Sequence, residues 1–199
     1  MKQVPYRALV GSLLYCAVAT RPDIALAVSK ISHVMSNPGP THFKRALYIL
    51  RYLKKTVDMG VRYARLAELN NVLVAYSDAD FAGCPDTYKS TSGYVCFLNG
   101  GPVSWMSKLQ QPVATSTTEA EYMAASYCVS EVVFLRGILE DFTYEQDGPT
   151  VLHEDNQGAV CLAKNEVNEP FPCEAHQRAV PSAAVTHCGQ GGRGAVLPY

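Results

Sequence analysis

The sequence predicts an α/β protein: a mixed sheet flanked by helices and preceded by a small helical segment. Three observations predict it. Two short runs rich in β-branched residues, Val72-Leu73-Val74-Ala75-Tyr76 and Thr150-Val151-Leu152, have the composition of buried strands, and each hands over to carboxylates. Asn99-Gly100-Gly101 is turn chemistry suited to a β-hairpin between them. The hydroxyl-rich stretch Thr115-Ser116-Thr117-Thr118 then opens a run whose apolar residues recur at helical spacing.

Composition sets the bounds. At 199 residues the chain can bury a real core in one or two domains, and 48% hydrophobic with 18% charged residues is ordinary for a globular protein. The net charge of −1 hides a sharp division. Residues 1–66 carry eleven Lys and Arg against two acids, whereas residues 67–199 carry six against sixteen. A basic part joined to an acidic one suits a protein that contacts phosphates with one and holds cations with the other. A solvated basic helical surface is the plainer alternative. Seven cysteines, an odd number without a C-x-x-C pair, argue against a disulfide framework or a zinc site and suit free thiols in a reducing compartment. The longest apolar run, residues 8–19, contains Gly and Ser and is short for a bilayer. Met1-Lys2 is followed by polar Gln3 and then Pro5, unlike a secretory signal. An intracellular protein, cytoplasmic or nuclear, with no membrane partner is expected.

The basic third is predicted helical. Residues 6–20 are mostly apolar, and Thr20-Arg21-Pro22-Asp23 opens a second helix with Pro22 in its first turn. Asn37-Pro38-Gly39-Pro40 breaks it. Thr41 can cap a third helix with Phe43, Leu47, Leu50 and Leu53 as its apolar stripe. On another face Lys44, Arg51 and Lys55 recur at i, i+7 and i+11, a spacing able to track a phosphate backbone.

The acidic part carries the chemistry. Asp78 and Asp80 follow the first strand and share a face if that strand continues. Like charges that close repel unless a cation or donors hold them, so a metal site competes with a solvated acidic turn. In the predicted long helix, Glu121 heads a stripe continued by Ala125, Cys128, Val132 and Leu135. A carboxylate there is costly without a partner, although dipole compensation at a helix start is the alternative. Glu119 lies about 200° round the helix. Asp155 ends the second strand at Glu154-Asp155-Asn156-Gln157, where it could equally cap the next helix. Other chemistries fit poorly. Asp78-x-Asp80-x-x-Gly83 lacks ligands at Ala82 and Lys89 for a calcium loop. No His-Glu-x-x-His or Gly-x-Ser-x-Gly occurs, and the Gly-rich residues 189–194 have no Lys-Ser/Thr for a phosphate loop.

Three motifs in this order, Tyr76-Ser77-Asp78-Ala79-Asp80-Phe81-Ala82-Gly83, Ser116-Thr117-Thr118-Glu119-Ala120-Glu121-Tyr122-Met123-Ala124 and Glu154-Asp155-Asn156-Gln157-Gly158-Ala159-Val160, carry a family resemblance. With the hairpin between the first two, residues 5–165 resemble the end of a copia-type long-terminal-repeat retrotransposon polyprotein. The resemblance implies a basic helical end of a reverse transcriptase over residues 1–66 and a ribonuclease H-like domain over 67–165. The Tyr-x-Asp-Asp motif of a polymerase palm is not in the chain, so polymerase activity is not expected of it alone. The implied activity is hydrolysis of the RNA strand of RNA–DNA hybrids by two Mg²⁺ ions. Asp78 would bridge both ions and Glu121 would hold one, being preferred to Glu119 for its place before Tyr122-Met123-Ala124. Asp155 would hold one or both, with Asp80 in support only.

Beyond Lys164 the chain departs from that pattern. The resemblance leads one to expect K-H-I-D-I-R-Y-H or a variant as a strand, with its acid as a fourth metal ligand, and then a closing helix. Residues 166–199 instead are Pro-, Gly- and Ala-rich without periodicity. Codons permitted for residues 174–181, read one base later, spell K-H-I-N-V-R-Y-H, so a frameshift or mis-joined gene model is expected between Lys164 and Glu174. The predicted fold is thus a ribonuclease H-like mixed sheet flanked by helices, lacking its last strand and helix, with a disordered tail. A catalytically inert remnant with at most nucleic-acid-binding ability is the alternative to an active nuclease.

Overall fold

The computed structural model describes residues 5–63 and 71–164, and the backbone of residues 183–187. Helix α1, Tyr6–Ala19, buries Tyr6, Val10, Leu13 and Ala17, one face at helical spacing. The Tyr6 hydroxyl, which would be costly if buried alone, donates to the Ile31 carbonyl at 2.8 Å. A single 3-10 turn at Pro22–Ile24 leads into α2, Ala25–Ser32, and Ile24, Val28 and Ile31 close on α1. Arg21 is buried and spans the segment. It meets Asp23 at 2.7 Å and donates to the Thr56 carbonyl at 3.1 Å beyond α3, Pro40–Lys55.

Helix α3 differs in detail from its sequence expectation. Gly39, not Thr41, is the capping residue, and Pro40 takes the first helical position, where its fixed φ and missing N–H cost nothing. The Gly39 N–H donates to His42 Nδ1 at 3.0 Å. The buried stripe runs through Ala46 and Ile49 with Phe43 and Leu53 beside them, while Leu50 is exposed. Ala46, fully buried, shares that inward face with Ile49.

The sheet has the order β3-β2-β1-β4-β5. Strands β1 (Leu73–Asp80), β2 (Thr91–Leu98) and β3 (Gly101–Leu109) are antiparallel neighbours. Asn99 and Gly100 both have positive φ, 51° and 76°, the backbone of a primed two-residue hairpin turn. Strand β4 (Thr150–Glu154) pairs parallel with β1 after the 25-residue helix α4, Thr117–Asp141, and is followed by α5, Gln157–Lys164. By length and composition α4 is apolar enough to cross a membrane. Here its Ala125, Cys128 and Val132 form one core with Leu73, Ala75, Cys96, Leu152 and Val160.

The expectation that the sheet stops at β4 is corrected. Residues Ala183–His187 form β5, parallel to β4, with Leu152 opposite Val185. An open strand edge offers unpaired N–H and C=O groups to any extended segment that reaches it. The rest of residues 165–199, including the interval of the expected reading-frame change and the fourth-ligand position, lies outside the described residues.

The second face of the sheet receives the helical segment. Tyr76, Val95 and Trp105 are level in the register and point away from the core of Ala75 and Cys96. Trp105 Nε1 donates to the Ala17 carbonyl at 2.7 Å, and Lys30 reaches Asp80 at 3.1 Å. A cleft of about 550 Å³ remains between Pro22 and Leu26 on one side and Tyr76, Phe97 and Trp105 on the other, with Asp78 and Asp80 also lining it.

Candidate metal centre

The carboxyl ends of β1 and β4 lie together because the two strands are parallel. Tyr76 pairs with His153, and their rings stack with centroids 4.5 Å apart. Two residues further on, Asp78, still within β1, and Asp155, just past the end of β4, lie close together. Strand β1 does not stop at Tyr76; it runs to Asp80, which puts Asp78 and Asp80 on one face. Ser116 caps α4 by accepting the Glu119 N–H at 3.1 Å, and that start aims Glu121 at the same place.

The structure thereby brings Asp78, Glu121 and Asp155 together, with one oxygen of each lying within 4.8 Å of the others. Asp78 and Asp155 are exposed, while Glu121 is only 8% exposed. Asp155 is free of the capping role it could have taken. Asn156 caps α5 instead, accepting the Ala159 N–H through Oδ1 at 3.0 Å. Gly158 allows the first turn of α5 to sit against α4, since a Cβ there would meet Thr118 Oγ1 at 2.6 Å.

Glu121 bears the electrostatic load. Burial lifts its carboxyl to about 8, helped by the negative charge of Glu154, Asp78 and Asp155, while a backbone hydrogen bond from Ala79 pulls the other way. Its Oε2 is buried without a hydrogen-bond partner among the described residues. An orphaned buried carboxylate oxygen facing two further carboxylates is what a cation would satisfy. Three oxygen donors on rigid elements suit a hard ion such as Mg²⁺ that keeps some of its waters.

The remaining acids divide cleanly. Glu119 turns back and accepts from the Thr115 N–H and hydroxyl, both at 2.6 Å, which holds its carboxyl below the ordinary value. Asp80 pairs with Lys30 and stays out of the cluster. Glu154 is the residue that sequence reasoning missed. It is buried, accepts from the Ser77 hydroxyl at 2.8 Å and the Asn156 N–H at 3.2 Å, and has its carboxyl raised chiefly by burial. The signal was present, since alternation along β4 puts Glu154 on the buried side with Thr150 and Leu152. Lys44, Arg51 and Lys55 are exposed on α3, and no ion pair holds them among the described residues.

Over most of its length the chain is similar in sequence to transposon polyproteins. It is 42% identical over 167 residues to a retrovirus-related Pol polyprotein from transposon TNT 1-94 of Nicotiana tabacum. A similar polyprotein from transposon RE2 of Arabidopsis thaliana is 41% identical over 162 residues. This chain is similar to one portion of retrovirus-related Pol polyproteins from plant transposons. It spans only 12% and 11% of those two relatives. A relative of comparable length is Secreted RxLR effector protein 161 of Plasmopara viticola, 49% identical over 135 residues, which are 68% of this chain and 94% of the relative. No family model matches the chain. A solved ribonuclease H1 in complex with an RNA/DNA hybrid is similar over 59% of this chain and 86% of its own, with a TM-score of 0.42 and 20% identity. At that distance nothing about mechanism carries over.

Proposed function

We propose that this chain is a ribonuclease H-type endonuclease that cleaves the RNA strand of RNA–DNA hybrids, acting as one portion of a copia-like retrotransposon polyprotein. The observation that carries the proposal is the gathering of carboxylate oxygens of Asp78, Glu121 and Asp155 within 4.8 Å of one another, with Glu121 Oε2 buried without a partner among the described residues. Two Mg²⁺ ions held by these three residues would supply an activated water and charge neutralisation at the leaving oxygen. The chain's own residues prepare the place. Glu121 offers a desolvated carboxylate from the start of α4, and Asn156 leaves Asp155 uncommitted by taking over the cap of α5. Asp78 belongs to the cluster and also lines the cleft under the helical segment. Selection of a hybrid would rest on backbone and 2′-hydroxyl contacts in a wide minor groove, with little preference for sequence.

Residues 1–66 fit the role of the closing helical part of a reverse transcriptase, with Lys44, Arg51 and Lys55 as its phosphate contacts. Purified chain, labelled hybrid and Mg²⁺ test the proposal, with Asp78→Asn as the control. Cleavage that falls about a hundredfold or more in the variant supports it, as for removal of other preorganised charge-stabilising groups. Hybrid binding without cleavage in the parent chain would establish the inert remnant in its place.

A further inference from the structure

We infer that Lys30, on helix α2 of the helical segment, sets the cation affinity of the carboxylate cluster by holding Asp80 out of it. The inference rests on the cluster being a cation site. Asp78 and Asp80 share one face of β1 and are about 7 Å apart along it. Both line the same cleft, yet only Asp78 joins Glu121 and Asp155. Asp80 turns instead to Lys30, whose Nζ lies 3.1 Å from its Oδ2. The turn after β1 is shaped to accept that rotamer. A Cβ on Gly83 would collide with the Asp80 carboxylate, and the Gly83 N–H donates to the Asp80 carbonyl at 3.3 Å. No other ion pair crosses from the helical segment to the sheet among the described residues.

The effect follows from charge. Paired with Lys30, Asp80 adds almost nothing to the field at the cluster. Released, it is free to turn toward Asp78, about 7 Å along the strand, and to add one negative charge beside the cluster, which would tighten divalent-ion binding about twofold to sixfold between screened and unscreened limits. The pair is half-exposed on both sides, the kind worth little stability, so its loss leaves the fold intact. The helical segment thereby governs the metal centre of the domain that follows it.

Calorimetric titration of the full chain with Mg²⁺ alone tests this in a cycle of Lys30→Met and Asp80→Asn. Lys30→Met is expected to tighten Mg²⁺ about twofold to sixfold in the parent, and by less than half that gain when Asp80 is already Asn. Lys30→Arg should restore the parent affinity. An unchanged or weaker affinity in Lys30→Met overturns the inference, and so does an equal gain in both backgrounds, which would make Lys30 a remote charge and nothing more. Glu121→Gln identifies the titrated site, because Mg²⁺ binding that survives it lies elsewhere and removes the reading of the cluster itself.

Discussion

Glu121→Gln is the substitution with the most to say about the metal centre. It keeps the side chain's shape and removes its charge. Burial and three neighbouring carboxylates raise the Glu121 carboxyl from 4.5 to about 8. Taken whole, that shift is about 5 kcal/mol of folding free energy withheld from the cation-free protein above that pH. A buried Gln amide has a desolvation cost of its own, so a net gain of about 2 kcal/mol is expected. The sign is fixed by proton binding. Between the ordinary carboxyl value and about 8 the folded chain keeps a proton that the unfolded chain has released, so parent stability falls as pH rises through that window. The variant has no such slope. Thermal melts in chelator should therefore cross, the variant melting about 6 °C below the parent near about pH 5 and about 6 °C above it near about pH 9. Adding Mg²⁺ at about a hundred times its Kd should raise the parent by about 2.7 kcal/mol and leave the variant where it was. A variant that is no more stable than the parent at high pH in chelator, or that gains equally from Mg²⁺, would refute the reasoning.

Three further outcomes are expected. Ser77→Ala removes the hydroxyl that donates to buried Glu154 at 2.8 Å, and should cost about 1–3 kcal/mol in urea unfolding followed by circular dichroism. Gly158→Ala drives a Cβ against Thr118, so it should destabilise by about 1–3 kcal/mol and weaken Mg²⁺ binding, with Thr118→Ala restoring both. Trp105→Phe deletes the 2.7 Å hydrogen bond to Ala17 and should cost about 1 kcal/mol. Trp105 is the only tryptophan, so in the parent its emission reports separation of the helical segment from the sheet as urea rises.

What could be read in the sequence was whatever depends on local pattern. The β-branched runs, the Asn-Gly turn and the helical stripe from Glu121 through Cys128 and Val132 are written at period two or near three and a half, and the structure follows them. Which acid does which job is settled by partners far away in the chain. Asp80 and Asp78 are alike on paper, and only Lys30, fifty positions earlier, separates them. Asn156 rather than Asp155 caps α5 because Thr118 and Ala159 both meet its amide oxygen. The inward face of α3 is centred on Ala46 and Ile49, turned about the helix axis from the stripe that Leu47 and Leu50 suggest. Strand β5 lay beyond pattern altogether, since five unremarkable residues pair with an edge that only the finished sheet exposes.

The parallel pairing of β1 with β4 also bears on how such a protein is made. A ribosome delivers Asp78 and Glu121 well before Asp155, and the strand that carries Asp155 can join the first only after the long crossover helix has docked. A nascent chain therefore passes through a stage in which its hairpin is formed but its ion-binding oxygens are incomplete. Divalent-ion binding at the cluster is expected only once that assembly is complete, and no truncated product ending before β4 should show it.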